Sequence, residues 1–192
     1  MRRQALVMLL MAPVVMPLAA QEVDATVLAD QARGAALLAP FKGALKSALS
    51  EGLAAGPQAA IAVCQAQAPA IAERLSVDGV HMGRSSERLR NPKNSPPDWV
   101  VPILTQYARG DLAPVTVALS PTELGYVEPI HIAPPCLTCH GETLESSVQE
   151  ALADRYPQDR ATGYQLGQWR GVFWVRYPAT TASSDKAQAK EP

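Results

Sequence analysis

The chain has 192 residues and a formal net charge of −1, with 47% apolar and 18% charged residues. That length fits one domain, and the apolar share supplies a core that a disordered chain lacks. The near-neutral charge excludes the basic surface of a nucleic-acid binder, and 17 prolines, crowded between positions 91 and 135, exclude an uninterrupted helical bundle.

The first segment reads as an address. Arg2 and Arg3 precede an apolar run over 5–16, and Pro17-Leu18-Ala19-Ala20 offers small residues to a signal peptidase. Residues 1–20 are therefore expected to be an export signal, too short and too proline-broken for a span of ~20 residues. No cysteine near the cleavage point offers a lipid attachment. The expected product is a mildly acidic periplasmic protein with no stable membrane span.

Alanine dominates 25–72, which reads as helical. Leu37, Leu38, Phe41, Leu45 and Leu49 mark one face of a first helix, expected to bend or break at Pro40. A glycine-bounded break over 51–56 precedes Pro57, which suits the first position of a second helix. There Ile61, Cys64, Ala68, Ile71 and Leu75 recur every three or four residues, so Cys64 faces inward. A short strand over 80–83 leads into a polar loop over 84–97. Asp98 is placed to cap a helix carrying Val100, Ile103, Leu104 and Tyr107, ended by Gly110. Strands over 115–119 and 126–132 flank a turn at Ser120-Pro121, a helix covers 143–155, and 169–177 alternates as a last strand. Residues 178–192 read as a disordered tail. This order predicts an α+β domain over 21–177 with N-terminal helices and an antiparallel sheet.

The chemistry is concentrated at Cys136-Leu137-Thr138-Cys139-His140. C-x-x-C-H is the pattern of covalent haem c attachment: two thiols one helical turn apart reach the vinyl groups, and the next residue reaches the iron. A zinc site needs two further ligands, and the sequence has no second Cys/His pair to supply them. A redox dithiol needs the pair at the start of a helix after a strand, which Pro134-Pro135 only loosely allows. Cys64 is then left alone in an oxidising compartment. It could be packed and inert, linked to another chain, or bound to metal. For a sixth position on iron the candidates are Cys64, His81, Met82 and His131, Met82 being the one methionine beyond the signal.

Three stretches resemble a family of small exported c-type haem proteins with a PAS-like fold and Cys/His haem ligation. The first is Ala59-Ala60-Ile61-Ala62-Val63-Cys64, continuing to Ala68-Pro69-Ala70-Ile71-Ala72. The second is Gly83-Arg84-Ser85-Ser86 with Arg90-Asn91-Pro92, Asn94 and Pro97-Asp98-Trp99. The third runs from Tyr126 and Pro129-Ile130 through the C-x-x-C-H-Gly141 segment to Tyr156-Pro157, Asp159, Ala161, Gly163-Tyr164, Gly167 and Gly171. Together they cover nearly all of 45–175. Ser85 stands where the family tends to have Thr. The resemblance implies a PAS-like sheet, His140 as the proximal ligand and Cys64 as the distal one.

Arg84, Arg88, Arg90 and Lys93 form a basic cluster in an acidic chain. Arginine forks suit carboxylates, so Arg84 or Arg90 could contact haem propionates, unless the loop charges are simply solvated. His131 is expected to be structural or to sit in the distal pocket, Met82 to pack in the core, and Trp99, Trp169 and Trp174 to be core or pocket-wall residues. There is no Ser-His-Asp set, Gly-rich phosphate loop or recognisable carboxylate pair, so no enzyme is indicated beyond the haem. The expected role is a redox or small-gas sensor, with NO or CO as ligand and an unidentified redox or signalling partner protein. A low-potential electron-transfer cytochrome and a sulfur-compound oxidoreductase are the alternatives. No Met follows His140, which excludes the ordinary His/Met carrier architecture.

Overall fold

The computed structural model describes residues 18–180. The export signal lies outside the described residues except for Leu18, Ala19 and Ala20, and the tail lies outside from position 181 onward. Helix α1 spans Leu18–Ala54 and α2 spans Pro57–Leu75. Then come β1 (His81–Ser85), α3 (Val101–Ala108), β2 (Val115–Ser120) and β3 (Glu123–His131). A single-turn α4 (Leu137–His140), α5 (Ser146–Arg155) and β4 (Trp169–Pro178) follow. The strands form one antiparallel sheet in the order β1-β4-β3-β2, so the fold is α+β with N-terminal helices. No described helix is long and apolar enough to cross a membrane.

Strand alternation divides the core into two layers. Met82, Tyr126, Val175 and Tyr177 face one way and are covered by Leu38 and Phe41 of α1 and Ile71 of α2. Val127, Val172 and Trp174 face the other way and meet Val100, Ile103, Leu104 and Tyr107 of the α3 segment. Met82 is thus a core residue, as expected. Trp99 and Trp174 meet edge to face at 6.1 Å in this second layer, where Trp169 also packs. The three tryptophans are half-buried and pack against that core, and none of them lines the cleft described below.

Two local expectations are corrected. Of the bend or break expected at Pro40, the break is ruled out: helix α1 runs through it without interruption. Pro40 and Ala36, whose carbonyl loses its helical donor, are both exposed, so water can satisfy that carbonyl while buried Leu38 and Phe41 hold the helix to the sheet. Asp98 does not cap α3. It opens a 3₁₀ turn over Asp98–Val100, and its side chain makes no capping hydrogen bond. Proline at the start of α3 has no N–H to be capped, which lowers the demand for such a side chain.

The close seating of α1 on the sheet depends on Gly34. A Cβ there would lie 2.4 Å from Tyr126 Cβ. At the end of the layer Tyr177 donates its hydroxyl to the Asp30 carbonyl at 2.7 Å, and Arg33 Nη1 donates to the Pro178 carbonyl at 2.7 Å.

Candidate functional site

Helix α2 starts at Pro57, after Gly56 in a positive-φ conformation, and carries Cys64 about two turns in. Its stripe buries Ile61, Ala68 and Ile71, with Cys64 half-buried between them. On the far wall, β3 ends at His131, Ala133 leads into a 3₁₀ turn over Pro134–Cys136, and α4 takes over at once. That turn sets Cys136 and Cys139 one helical turn apart, with His140 next. The pair does begin a helix after a strand, but the helix is only four residues long.

The segment after α5 pins this short helix. Tyr164 N–H donates to the His140 carbonyl at 2.9 Å, and Gly163 N–H donates to the Gly141 carbonyl at 2.8 Å. Arg90 donates through Nε to Asp159 Oδ2 at 3.0 Å and through Nη2 to the Cys139 carbonyl. Asp159 Oδ1 in turn accepts from Ala161 N–H at 2.7 Å.

Cys64, Arg84, Arg90, Cys136, Cys139 and His140 all line one cleft. It holds about 1230 Å³ of space free of protein atoms, part of it open to solvent, with apolar walls from Leu53, Ile61, Ile130, Ile132 and Phe173. His131 also borders it but is itself exposed, His81 is exposed on β1, and Met82 lies in the core instead.

Burial pushes the Cys64 thiol up from its ordinary value, against the pull of Arg84 and Arg90. It raises Cys139 as well, opposed by Arg90. His140 is pushed down to about 2, first by burial and then by the Arg90 and Arg170 guanidiniums. Its Nδ1 lies 2.5 Å from the Ala161 carbonyl oxygen. A neutral ring so held leaves Nε2 as the free lone pair.

The arginines divide by role. Arg90 lines the cleft, yet its hydrogen bonds tie the Cys139 and Asp159 segments together. Arg88 donates to the Arg160 and Thr162 carbonyls and stacks 4.2 Å from the Tyr164 ring. The Arg84 side chain makes no hydrogen bond or ion pair with any described residue, and burial lowers its hold on its proton. Lys93 is exposed.

Sequence reasoning missed Arg170. Strict alternation puts it on the face of Val172, away from the cleft. The β3–β4 register instead pairs Ile130 with Gly171 and His131 with Trp169, leaving Arg170 as an extra, bulged residue. Arg170 thereby lines the cleft beside Gly171 and Phe173. The available signal was Gly171 inside a strand, a common mark of a bulge; its φ is 155°, and a Cβ there would lie 2.3 Å from the Ser85 carbonyl oxygen.

An α+β domain whose cysteine pair, adjacent histidine and opposing cysteine converge on one apolar cleft is the class this geometry defines. The chain belongs to the Tll0287-like family, whose model matches residues 11–178. Among solved structures it is similar to the crystal structure of the cyanobacterial heme-protein Tll0287. The identity is 23%, the coverage 86% of this chain and 98% of that one, and the TM-score 0.53. At that identity the likeness is one of fold. No curated protein is matched.

Proposed function

We propose that this protein is an exported, periplasmic monohaem c-type haem protein acting as a redox or small-gas sensor. In this reading Cys136 and Cys139 form the thioethers, His140 is the proximal iron ligand and Cys64 the distal one. The observation that carries it is the convergence of Cys64 on α2 with the C-x-x-C-H segment of α4 across a single apolar cleft. The related cyanobacterial heme-protein adds support. The antiparallel β1-β4-β3-β2 sheet is read as PAS-like within the same proposal.

The residues present fit the group. The cleft is walled by apolar side chains, opens in part to solvent, and is bordered by the half-buried side chains of Arg84 and Arg170, whose guanidiniums suit carboxylates. Haem, when bound, supplies a one-electron couple and an iron with two axial positions. His140 offers a neutral Nε2, oriented by the bond from Nδ1 to Ala161. Cys64 offers sulfur, and direct coordination to a cation outweighs the burial that otherwise keeps the thiol protonated. Output passes to a partner protein, unidentified, that reads the position of α2.

A pyridine haemochrome spectrum tests the attachment. The expected result is a c-type spectrum with pigment that resists acid-acetone extraction. A b-type spectrum, or haem lost on extraction, overturns it. Cys64→Ala should abolish the low-spin thiolate signature of the ferric protein, and an unchanged spectrum moves the distal assignment away from Cys64.

A further inference from the structure

We infer that Arg84 and Arg170 form a two-guanidinium carboxylate site in the cleft and that its ligands are the two haem propionates. The inference rests on the haem reading above and adds the residues that anchor the acidic edge of the cofactor. Arg84 projects from β1 into the cleft with no hydrogen-bond or ion-pair partner among the described residues. Arg170 projects from β4, and its Nε is buried without a partner. Its side chain donates from Nη1 to the Arg88 carbonyl at 3.2 Å, and its guanidinium lies 5.4 Å from the Tyr164 ring centroid.

The backbone is shaped to put Arg170 there. The bulge that gives β4 one extra residue is the step that turns this side chain from the α3 layer to the cleft. Bulges recur beside functional sites because they re-aim a side chain in this way. Ser86 Oγ holds the bulge by donating to the Arg170 carbonyl at 2.8 Å.

Both side chains are half-buried and the Arg170 Nε is fully so, and two partly desolvated cations without an anion carry an electrostatic cost that a bound anion would offset. Asp159, which also lies within electrostatic reach of Arg170, is already paired with Arg90 at 3.0 Å. Guanidinium forks match carboxylates in shape and charge. Haem carries two carboxylates on the edge opposite the vinyl groups that Cys136 and Cys139 would take. An apolar ring with two acidic arms suits an apolar cleft with two unpaired arginines.

The test uses the haem-loaded protein, with Arg84→Gln and Arg170→Gln beside the charge-retaining Arg84→Lys and Arg170→Lys. Resonance Raman reads the propionate bending band, which moves with hydrogen bonding to the carboxylates. The expected result is a shifted band in each Gln variant, with the Lys variants nearer to wild type. A band unmoved in both Gln variants overturns the assignment, as does an equal shift on adding inorganic phosphate to wild type. Should the variants fail to fold, the crystal structure of the loaded wild type decides. Propionate oxygens about 2.7–3.2 Å from both guanidiniums support the site, and propionates turned to solvent refute it. A chain without thioether-linked haem fails the haem reading, and this site falls with it; haem bound with solvated propionates fails this site alone.

Discussion

His140 Nδ1 lies 2.5 Å from the Ala161 carbonyl oxygen, and Ala161 is held in turn by Asp159, whose Oδ1 accepts the Ala161 N–H at 2.7 Å. Asp159 Oδ2 accepts from Arg90 Nε at 3.0 Å, with side chains only 10% and 14% exposed. The orientation of the histidine is thus set by an ion pair one residue removed from it. Removing one partner of such a pair leaves the other charge buried, which costs ~3–5 kcal/mol. Asp159→Ala and Arg90→Ala should each destabilise the fold by about that much, and the double variant should lose clearly less than the sum. Urea denaturation of the four proteins measures the cycle, and additive losses would show that the bridge carries no coupling.

Haem-free protein should grow less stable in mild acid. His140 is pushed down to about 2 in the fold, while an unfolded histidine titrates near ~6.5. Between those values the unfolded chain binds the extra proton, so stability is full above the unfolded pKa. It is lost as pH falls below ~6.5, at on the order of 1 kcal/mol per pH unit. Urea midpoints of a Cys136→Ser/Cys139→Ser chain at pH 7, 6 and 5 should show that slope. Adding His140→Asn should flatten it; an equal slope in both assigns the acid sensitivity to other groups.

Much of the frame was legible because it follows local periodicity. The Ile61, Cys64, Ala68, Ile71 stripe predicted an inward Cys64, and Cys64 lies half-buried in the cleft wall. The C-x-x-C-H spacing and the arginine loop converge on that same cleft, although they lie far apart in sequence. What was not legible depends on tertiary context. Pro40 is tolerated because its face of α1 is exposed, and a periodicity argument does not see that. Arg90 looked available to a ligand until the Asp159 segment came back to it, 69 residues away. Arg170 was hidden because one bulged residue reverses the alternation that strand reading relies on.

Gly34 gives a prediction about the scaffold alone. Alanine improves helix propensity by ~1 kcal/mol, but its Cβ would sit 2.4 Å from Tyr126 Cβ, deep in the α1–sheet layer. Overpacking costs ~1–3 kcal/mol, so the clash should win. Gly34→Ala should lower the urea midpoint, and Gly34→Ala/Tyr126→Ala should show a smaller effect of the alanine than the wild-type background does. A stabilised Gly34→Ala protein would mean that α1 can slide on the sheet without cost.

The last prediction concerns how Cys64 could report redox state. An anionic sulfur ligand favours ferric over ferrous iron, so Cys64→Ala should raise the reduction potential measured by redox titration. If haem is held as proposed, reduction would weaken the hold of the iron on an anionic sulfur. Cys64 Sγ would then be able to take up a proton, in a cleft where burial raises the pKa of this thiol. Release of Sγ would free α2 from that tether and leave a position for a small ligand such as CO or NO. In that reading helix α2 would be the two-state element that both electron and ligand bias. It packs on α5 through Ile61, Val148 and Leu152, so its movement has a path to the surface. Ferrous wild type should therefore bind CO or NO, and Cys64→Ala should bind them at least as readily. If ferrous wild type keeps sulfur bound and excludes both gases while Cys64→Ala admits them, the coordination is fixed through the cycle. A low-potential electron carrier is then the better account, because a carrier gains from ligands that do not move.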